Sequence, residues 1–369
     1  MESVRLLIAL AAHGCWEIHH MDVKSAFLNG DLAEEVYVQQ PPGFINPSHQ
    51  GLVLKLRKAL YGLCQAPRAW NSRLDASLSS LGFERSPTEH AIYRREKDGK
   101  ILLVGVYVDD LIITGSDTER ISEFKQEMCS IFKMSDLGLL SFYLGIEVRQ
   151  EANEITLCQS NYAKKILQAA GMAKCNPSAI PMEAKLKLTK EGCGSLVDPT
   201  EFRSIVGSLR YLVNTRPDIA YAVGIVSRYM EKPTDQHKAA VKQILRYIQG
   251  TVRYGCTFRK NSREVLNLLG YSDSDLAGDL DDRKSTSGFV FLLGGNLITW
   301  SSQKQKIVAL SSCEAEYMAA AMATCQGIWL SRLISDLLGA DHDKFKLKVD
   351  NMSAIELSRN LCITAEQNT

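Results

Sequence analysis

Val104-Gly105-Val106-Tyr107-Val108-Asp109-Asp110-Leu111-Ile112-Ile113-Thr114 is an apolar, β-rich run interrupted by two adjacent aspartates. Taken from Ile101, it predicts a hairpin with both anions at its tip. Neighbouring carboxylates in an apolar run repel each other and resist desolvation, so they need water at a loose turn or cations that neutralise them. On this segment alone, a plain turn and a cation site are both open.

Upstream, Trp16 to Val23 reads as a strand that delivers Asp22 at its end, followed by small residues and by Phe27 five positions later. If Asp22 lies beside the hairpin tip, Asp22, Asp109 and Asp110 could hold two divalent ions. Two such ions, roughly 3.5 to 4 Å apart, stabilise the attacking and leaving oxygens of an in-line phosphoryl displacement. Mg²⁺ suits the role because it favours oxygen ligands and keeps waters and phosphates in its shell.

Four motifs in this order, MDVKSAFLNGDLAEEVYVQQPPGF (21–44), ALYGLCQAPRAW (59–70), YVDDLIITG (107–115) and DLGLLSFYLGIEV (136–148), resemble the reverse transcriptase of copia-type retrotransposons. The resemblance covers nearly the whole chain. It implies an α+β fold: a reverse-transcriptase palm lacking most of the fingers, a helical thumb or connection, and a truncated ribonuclease-H-like domain with a mixed sheet. It also implies that Asp22, Asp109 and Asp110 are catalytic metal ligands and that Phe27 is the aromatic gate under the nucleotide sugar. A core phenylalanine would show the same spacing. Gln65 matches a glutamine near nucleotide and template, with a turn-stabilising amide as the alternative, and Cys64 stands where the family more often has lysine. Phe142 to Val148 matches the primer grip or a core strand, and Lys133 a general acid or a solvated lysine.

The last third carries a second set of acids. Asp273 ends a strand, and Asp275, Asp279, Asp281 and Asp282 follow within ten residues. Phe289–Leu293 and Asn296–Ser301 flank Gly294-Gly295, a hairpin signal. Ser311 and Glu314 form a capping box for a helix running to about Leu338, and Phe345–Val349 is a strand ending at Asp350. GYSDSDLAGDLDDRKSTSGFVFLLGG (270–295), VALSSCEAEYMAAA (308–321) and KVDNMSAI (348–355) resemble the copia-type ribonuclease H domain. This implies Asp273, Glu316 and Asp350 as catalytic metal ligands, with Glu314 as the cap and Asp275 and Asp279 as solvated loop acids. Leu276 replaces the family's usual tryptophan.

The 369 residues are 45% hydrophobic and 23% charged, which excludes wholesale disorder and a small disulfide scaffold. A net charge of +1 conceals a basic segment, 201–263, with twelve Lys/Arg against four acids. Lys238, Lys242 and Arg246 recur every four residues there, opposite Val241, Ile244, Leu245 and Ile248; the stripe is either a solvated helix face or a phosphate-tracking surface. Ten cysteines without a Cys-x-x-Cys pair predict free thiols in a reducing compartment. No apolar run is long enough to span a bilayer, and the opening reads as an amphipathic helix stopped by Gly14 rather than as a secretory signal.

These readings divide the chain at 1–152 (palm), 153–263 (thumb or connection, after a linker containing Pro177, Pro181 and Pro199) and 264–369 (nuclease-like). The family's fingers precede the point where this chain starts and a fourth nuclease ligand follows the point where it stops, so the expectation is a polyprotein fragment. The implied chemistry is RNA-templated DNA synthesis, with hydrolysis of RNA in RNA–DNA hybrids. The implied cofactor is Mg²⁺, two per active site, and the implied partners are RNA template, DNA primer, hybrid and dNTPs. The expected location is a cytoplasmic virus-like particle or the nucleus. A catalytically inactive remnant that at most binds nucleic acid non-specifically is the open alternative.

Overall fold

The computed structural model describes residues 1–184, 186–192, 194–261, 265–340, 342 and 344–359. The expected boundary at 263/264, with Arg263, and the end of the chain from 360 lie outside the described residues. The chain divides into two compact units, Trp16–Leu140 with Asp336–Ala340, and Met1–Cys15 with Ser141–Ser335 and Asp341–Thr369. It mixes helices and sheets, with nine helices among the described residues.

Helix α1 (Glu2–Gly14) opens the chain and belongs to the second unit. It is buried along Arg5–Ala12 rather than on one stripe, so it is a buried helix and not the amphipathic one expected. Arg5 explains the tolerated charge: Nε donates to the Ile298 carbonyl at 2.7 Å, and the guanidinium lies 4.0 Å over the Trp300 ring.

In the first unit the elements are β1 (Ile18–Val23), β2 (Tyr37–Gln39), β3 (Val53–Lys55), α2 (Ala66–Ser80), β4 (Glu84–Arg85), β5 (Ile92–Lys97), β6 (Lys100–Tyr107), β7 (Asp110–Gly115), α3 (Thr118–Ile131) and β8 (Met134–Leu139). Six strands form one sheet in the order β4-β5-β6-β7-β1-β8. Trp70, Leu74 and Leu78 of α2 and Ile121, Phe124 and Met128 of α3 share a core with Met21, Val104, Leu111 and Ile113 of the sheet. Alternate strand residues therefore feed one buried face, and the β6–β7 hairpin forms where the apolar run predicts it. Helix α2 begins at Ala66, with Pro67 in its first turn where a missing N–H costs nothing.

The second unit continues with β9 (Phe142–Tyr143), β10 (Ile146–Gln150), β11 (Glu154–Cys158), α4 (Ser160–Ala169), α5 (Pro199–Leu212), α6 (Ala220–Val226), α7 (Asp235–Gly250) and β12 (Gly255–Arg259). It ends with β13 (Leu268–Ser274), β14 (Thr286–Leu293), β15 (Asn296–Lys304), α8 (Ser312–Leu338), β16 (Lys346–Lys348) and α9 (Met352–Arg359). One sheet runs β12-β11-β10-β9 and a second β15-β14-β13-β16, in which β13 and β16 are parallel. Helices α4 to α7 bury Leu167, Phe202, Val206, Leu209, Val223, Ile244 and Ile248 together.

The Pro-punctuated stretch after α4 is not a spacer. Leu188 is buried, its carbonyl accepts from Tyr229 Oη at 2.9 Å, and Pro199 sits in the first turn of α5 behind the Asp198 cap. The basic segment is partly committed to the fold. Lys238 pairs with Glu201 at 2.9 Å, Arg246 Nε donates to the Asn176 carbonyl at 2.8 Å, and Arg216, 1% exposed, is held by Asp218 and Thr251. Lys242 of the expected stripe is exposed, so the face is solvated and partly paired.

Two candidate carboxylate sites

The first site lies at the β6–β7 tip. Register pairs Asp22 of β1 with Asp110 of β7, and the Val23 N–H donates to the Asp109 carbonyl at 2.9 Å, so all three expected aspartates reach one end of the sheet. The turn residue Val108 has φ +57°, a left-handed conformation that a β-branched side chain resists. Trp70 Nε1 holds it there by donating to the Val108 carbonyl at 2.6 Å. Each outer aspartate already faces a cation or donor: Lys24 is ion-paired with Asp22, and His20 Nε2 lies 2.8 Å from Asp110 Oδ1. His20, two residues before Asp22 and so on the same strand face, was not anticipated; the period of two was the available signal.

Phe27 sits in a 3-10 turn (Ala26–Asn29) after the left-handed Ser25, half-buried on the sheet core with its ring centroid 5.9 Å from that of Tyr61. Together with Trp70, His90 and Val108 it lines a cavity of about 320 Å³, which puts it beside the hairpin tip. Gln65 is not gathered there. It precedes α2 without capping it and lines a separate cleft with Asp31, Glu34, Arg68 and Arg73. Lys133 is exposed and joins the unit through its carbonyl, which accepts from the Lys24 N–H at 2.9 Å. In the second unit, β9 and β10 pair as a hairpin around Leu144-Gly145, both at positive φ, with Phe142 exposed and Tyr143 buried.

The second site is tighter. Among the described residues, Asp273, Glu316 and Asp350 are the one trio of metal-capable side chains with ligand atoms within 4.8 Å of one another. Asp22, Asp109 and Asp110 are neighbours in the sheet but are not drawn to that spacing. Asp273 comes from β13, Glu316 from the first turns of α8, and Asp350 from just past β16, which lies parallel beside β13. Glu314 takes the capping role: its N–H donates to Ser311 Oγ at 3.1 Å, and its carboxylate accepts from the Leu310 N–H at 2.6 Å. Glu316 is thereby left to face β13, where Oε1 accepts from the Ser274 N–H at 2.9 Å.

Burial first, and then the charges of Asp273 and Asp350, push the Glu316 carboxyl above its ordinary range, although the Ser274 N–H works the other way. Glu316 Oε2 and Ser272 Oγ are buried and take no partner among the described residues. Three acids this close repel one another unless one of them holds a proton or a cation neutralises them. The all-oxygen donor set fits a hard divalent cation.

Asp279 is a correction. Expected as a solvated loop acid, it is 4% exposed, ion-paired with Lys304 at 2.7 Å and Arg228 at 3.0 Å, and accepts from the Asp281 N–H at 3.0 Å. Burial alone would raise its pKa, but these partners outweigh it and hold the carboxyl at about 2. Asp275 is exposed as expected, yet it too serves the fold by accepting from the Thr286 N–H at 2.6 Å.

A family model described as "Reverse transcriptase (RNA-dependent DNA polymerase)" matches residues 1–184. The retrovirus-related Pol polyprotein from transposon RE2 of Arabidopsis thaliana is 40% identical over 359 residues, which are 97% of this chain and 24% of that polyprotein. The corresponding polyprotein from transposon TNT 1-94 of Nicotiana tabacum is 40% identical over 370 residues, covering 98% of this chain and 28% of its own length. A Saccharomyces cerevisiae protein of transposon Ty5-1 is 35% identical over 303 residues, 81% of this chain and 98% of the yeast protein. The chain spans about a quarter of the length of the two plant polyproteins.

Proposed function

The chain belongs to the reverse-transcriptase family found in retrovirus-related transposon Pol polyproteins, and from that premise we propose that it is a polymerase and ribonuclease H segment of such a polyprotein. The first unit acts as the palm, α4–α7 with the β9–β12 sheet as thumb or connection, and the β13–β16 sheet with α8 as the nuclease-like part. The observation that carries the reading is the arrival of acids far apart in sequence at two loci, Asp22 opposite Asp110 and Asp273 with Glu316 and Asp350.

In this reading Asp22, Asp109 and Asp110 hold Mg²⁺ for RNA-templated DNA synthesis, and Asp273, Glu316 and Asp350 hold it for hydrolysis of RNA in RNA–DNA hybrids. Bound Mg²⁺ supplies positive charge to the attacking and leaving oxygens. The protein's share is to bring primer, RNA template and dNTP to the hairpin tip. There Phe27 closes the cavity against the nucleotide sugar, and Trp70 fixes the turn that carries Asp109. At the second site Glu316, held by the Ser274 N–H, keeps one buried oxygen available. Gln65, in its separate cleft, contributes to template contact. A nuclear location or a cytoplasmic particle follows from this assignment; among the described residues no helix is long and apolar enough to cross a membrane.

A second reading has its own observation. Lys24 and His20 occupy Asp22 and Asp110, and the three palm acids are not drawn as close as the nuclease trio, which suits an inactive remnant that at most binds nucleic acid non-specifically. Primer extension on poly(rA)/oligo(dT) with Mg²⁺ decides. Activity abolished by Asp109→Asn supports the polymerase, activity indifferent to it removes the site assignment, and no synthesis or hybrid cleavage with salt-dependent binding selects the remnant.

A further inference from the structure

Asp273 and Glu316 sit on different elements, and the N–H of Ser274, the residue after Asp273, donates to Glu316 Oε1. Gln305, one residue past β15, supplies a second connection. It is 9% exposed, and its Nε2 faces three acceptors: Ser274 Oγ at 3.2 Å, Ser287 Oγ at 2.9 Å and the Ala315 carbonyl at 2.9 Å. An amide nitrogen carries two hydrogens, so one of them is shared. The Ala315 carbonyl can only accept, which fixes which side of the amide faces inward. The Gln305 N–H donates to the Ser285 carbonyl at 2.8 Å, so the root of the side chain is held as well.

Ser274 directly follows Asp273, and Ala315 directly precedes Glu316. We propose that Gln305 is a positioning residue for the Asp273–Glu316–Asp350 cluster: its amide ties the chain next to two of the carboxylates and sets the spacing at which they share a divalent cation. The assignment rests on the nuclease reading of that cluster. Partners that orient metal ligands from outside the coordination sphere are typically worth about 10- to 100-fold in metal affinity.

The test is Mn²⁺ binding to the full chain, read from the EPR signal of free Mn²⁺, in an Asp109→Asn, Asp110→Asn background that mutes the other site. Gln305→Met keeps the volume and removes the donor; it is expected to weaken Mn²⁺ binding at least about ten-fold with the far-ultraviolet circular dichroism unchanged. Ser287→Ala leaves the ties to Ser274 and Ala315 in place and should bind like its parent. Should Gln305→Met fail to fold, Gln305→Asn, one methylene too short to reach all three acceptors, carries the same expectation. A folded Gln305 variant that binds Mn²⁺ like its parent, while Glu316→Gln does not, overturns the positioning role alone. If Glu316→Gln also leaves binding unchanged, the cluster reading falls and the positioning role with it.

Discussion

Replacing Asp279 by Asn should destabilise the β13–β16 region and change how that region responds to acid. The carboxylate is almost fully buried between Lys304 and Arg228, whose side chains are 23% and 14% exposed. Removing one partner of a buried pair usually costs about 3 to 5 kcal/mol. Because both cations retain some water, we place the loss near the low end, about 3 kcal/mol at neutral pH. The pH dependence follows from the carboxyl held at about 2 against an ordinary 3.8. A depressed carboxyl stabilises the fold fully above its unfolded pKa and loses that contribution as pH falls through the folded value. The wild type should therefore lose about 2 kcal/mol of its advantage over Asp279→Asn between roughly pH 4 and pH 2. Amide exchange of β14 and β15 in graded urea measures this locally, without assuming that both units unfold together. A gap between wild type and variant that stays constant from pH 5 to pH 2 would refute the reasoning.

Other changes read out other contacts. Gly270→Ala places a methyl 2.5 Å from Phe291 Cε1 and 2.9 Å from Leu347 Cδ1. It should cost about 1 to 3 kcal/mol by overpacking, seen as a lower urea midpoint. Trp70→Phe removes the bond to the Val108 carbonyl and should cost about 1 kcal/mol or more while lowering primer extension, whereas stability and synthesis both unchanged would detach the indole from the turn. Glu314→Ala takes away a helix cap and is expected to cost about 1 kcal/mol without altering Mn²⁺ binding, which separates the cap from Glu316. Lys242→Ala should barely change the salt dependence of hybrid binding; a slope reduced by about one unit would restore the phosphate-tracking stripe.

Much of this was legible where the signal is local. The hairpin at 101–114 follows from an apolar run broken only by Asp109 and Asp110, and the Ser311/Glu314 cap from a three-residue spacing, because both depend on neighbours in the chain. Asp279 was misjudged for the opposite reason: Arg228 lies 51 positions before it and Lys304 25 positions after, so its environment exists only in the fold. For the same reason the pairing of Lys238 with Glu201 and the bond from Arg246 Nε to the Asn176 carbonyl could not be read within 201–263. Gln305 gave no signal at all, since a lone glutamine after a strand is ordinary until three acceptors converge on it.

The parallel ladder between β13 and β16 spans only three residue pairs, Leu269–Lys346, Gly270–Leu347 and Tyr271–Lys348, each joining positions 77 apart in sequence. Strands β13, β14 and β15 form a meander joined by the local segments 275–285 and 294–295, whereas β16 must wait for α8 to cross back. During refolding, the Gly270 amide, on the side of β13 away from β14, should gain protection after Val290, and Asp350 should be the last acid to arrive. An emerging chain would then pass through a stage with Asp273 and Glu316 in place and the third acid absent, a built-in delay before the cluster is complete.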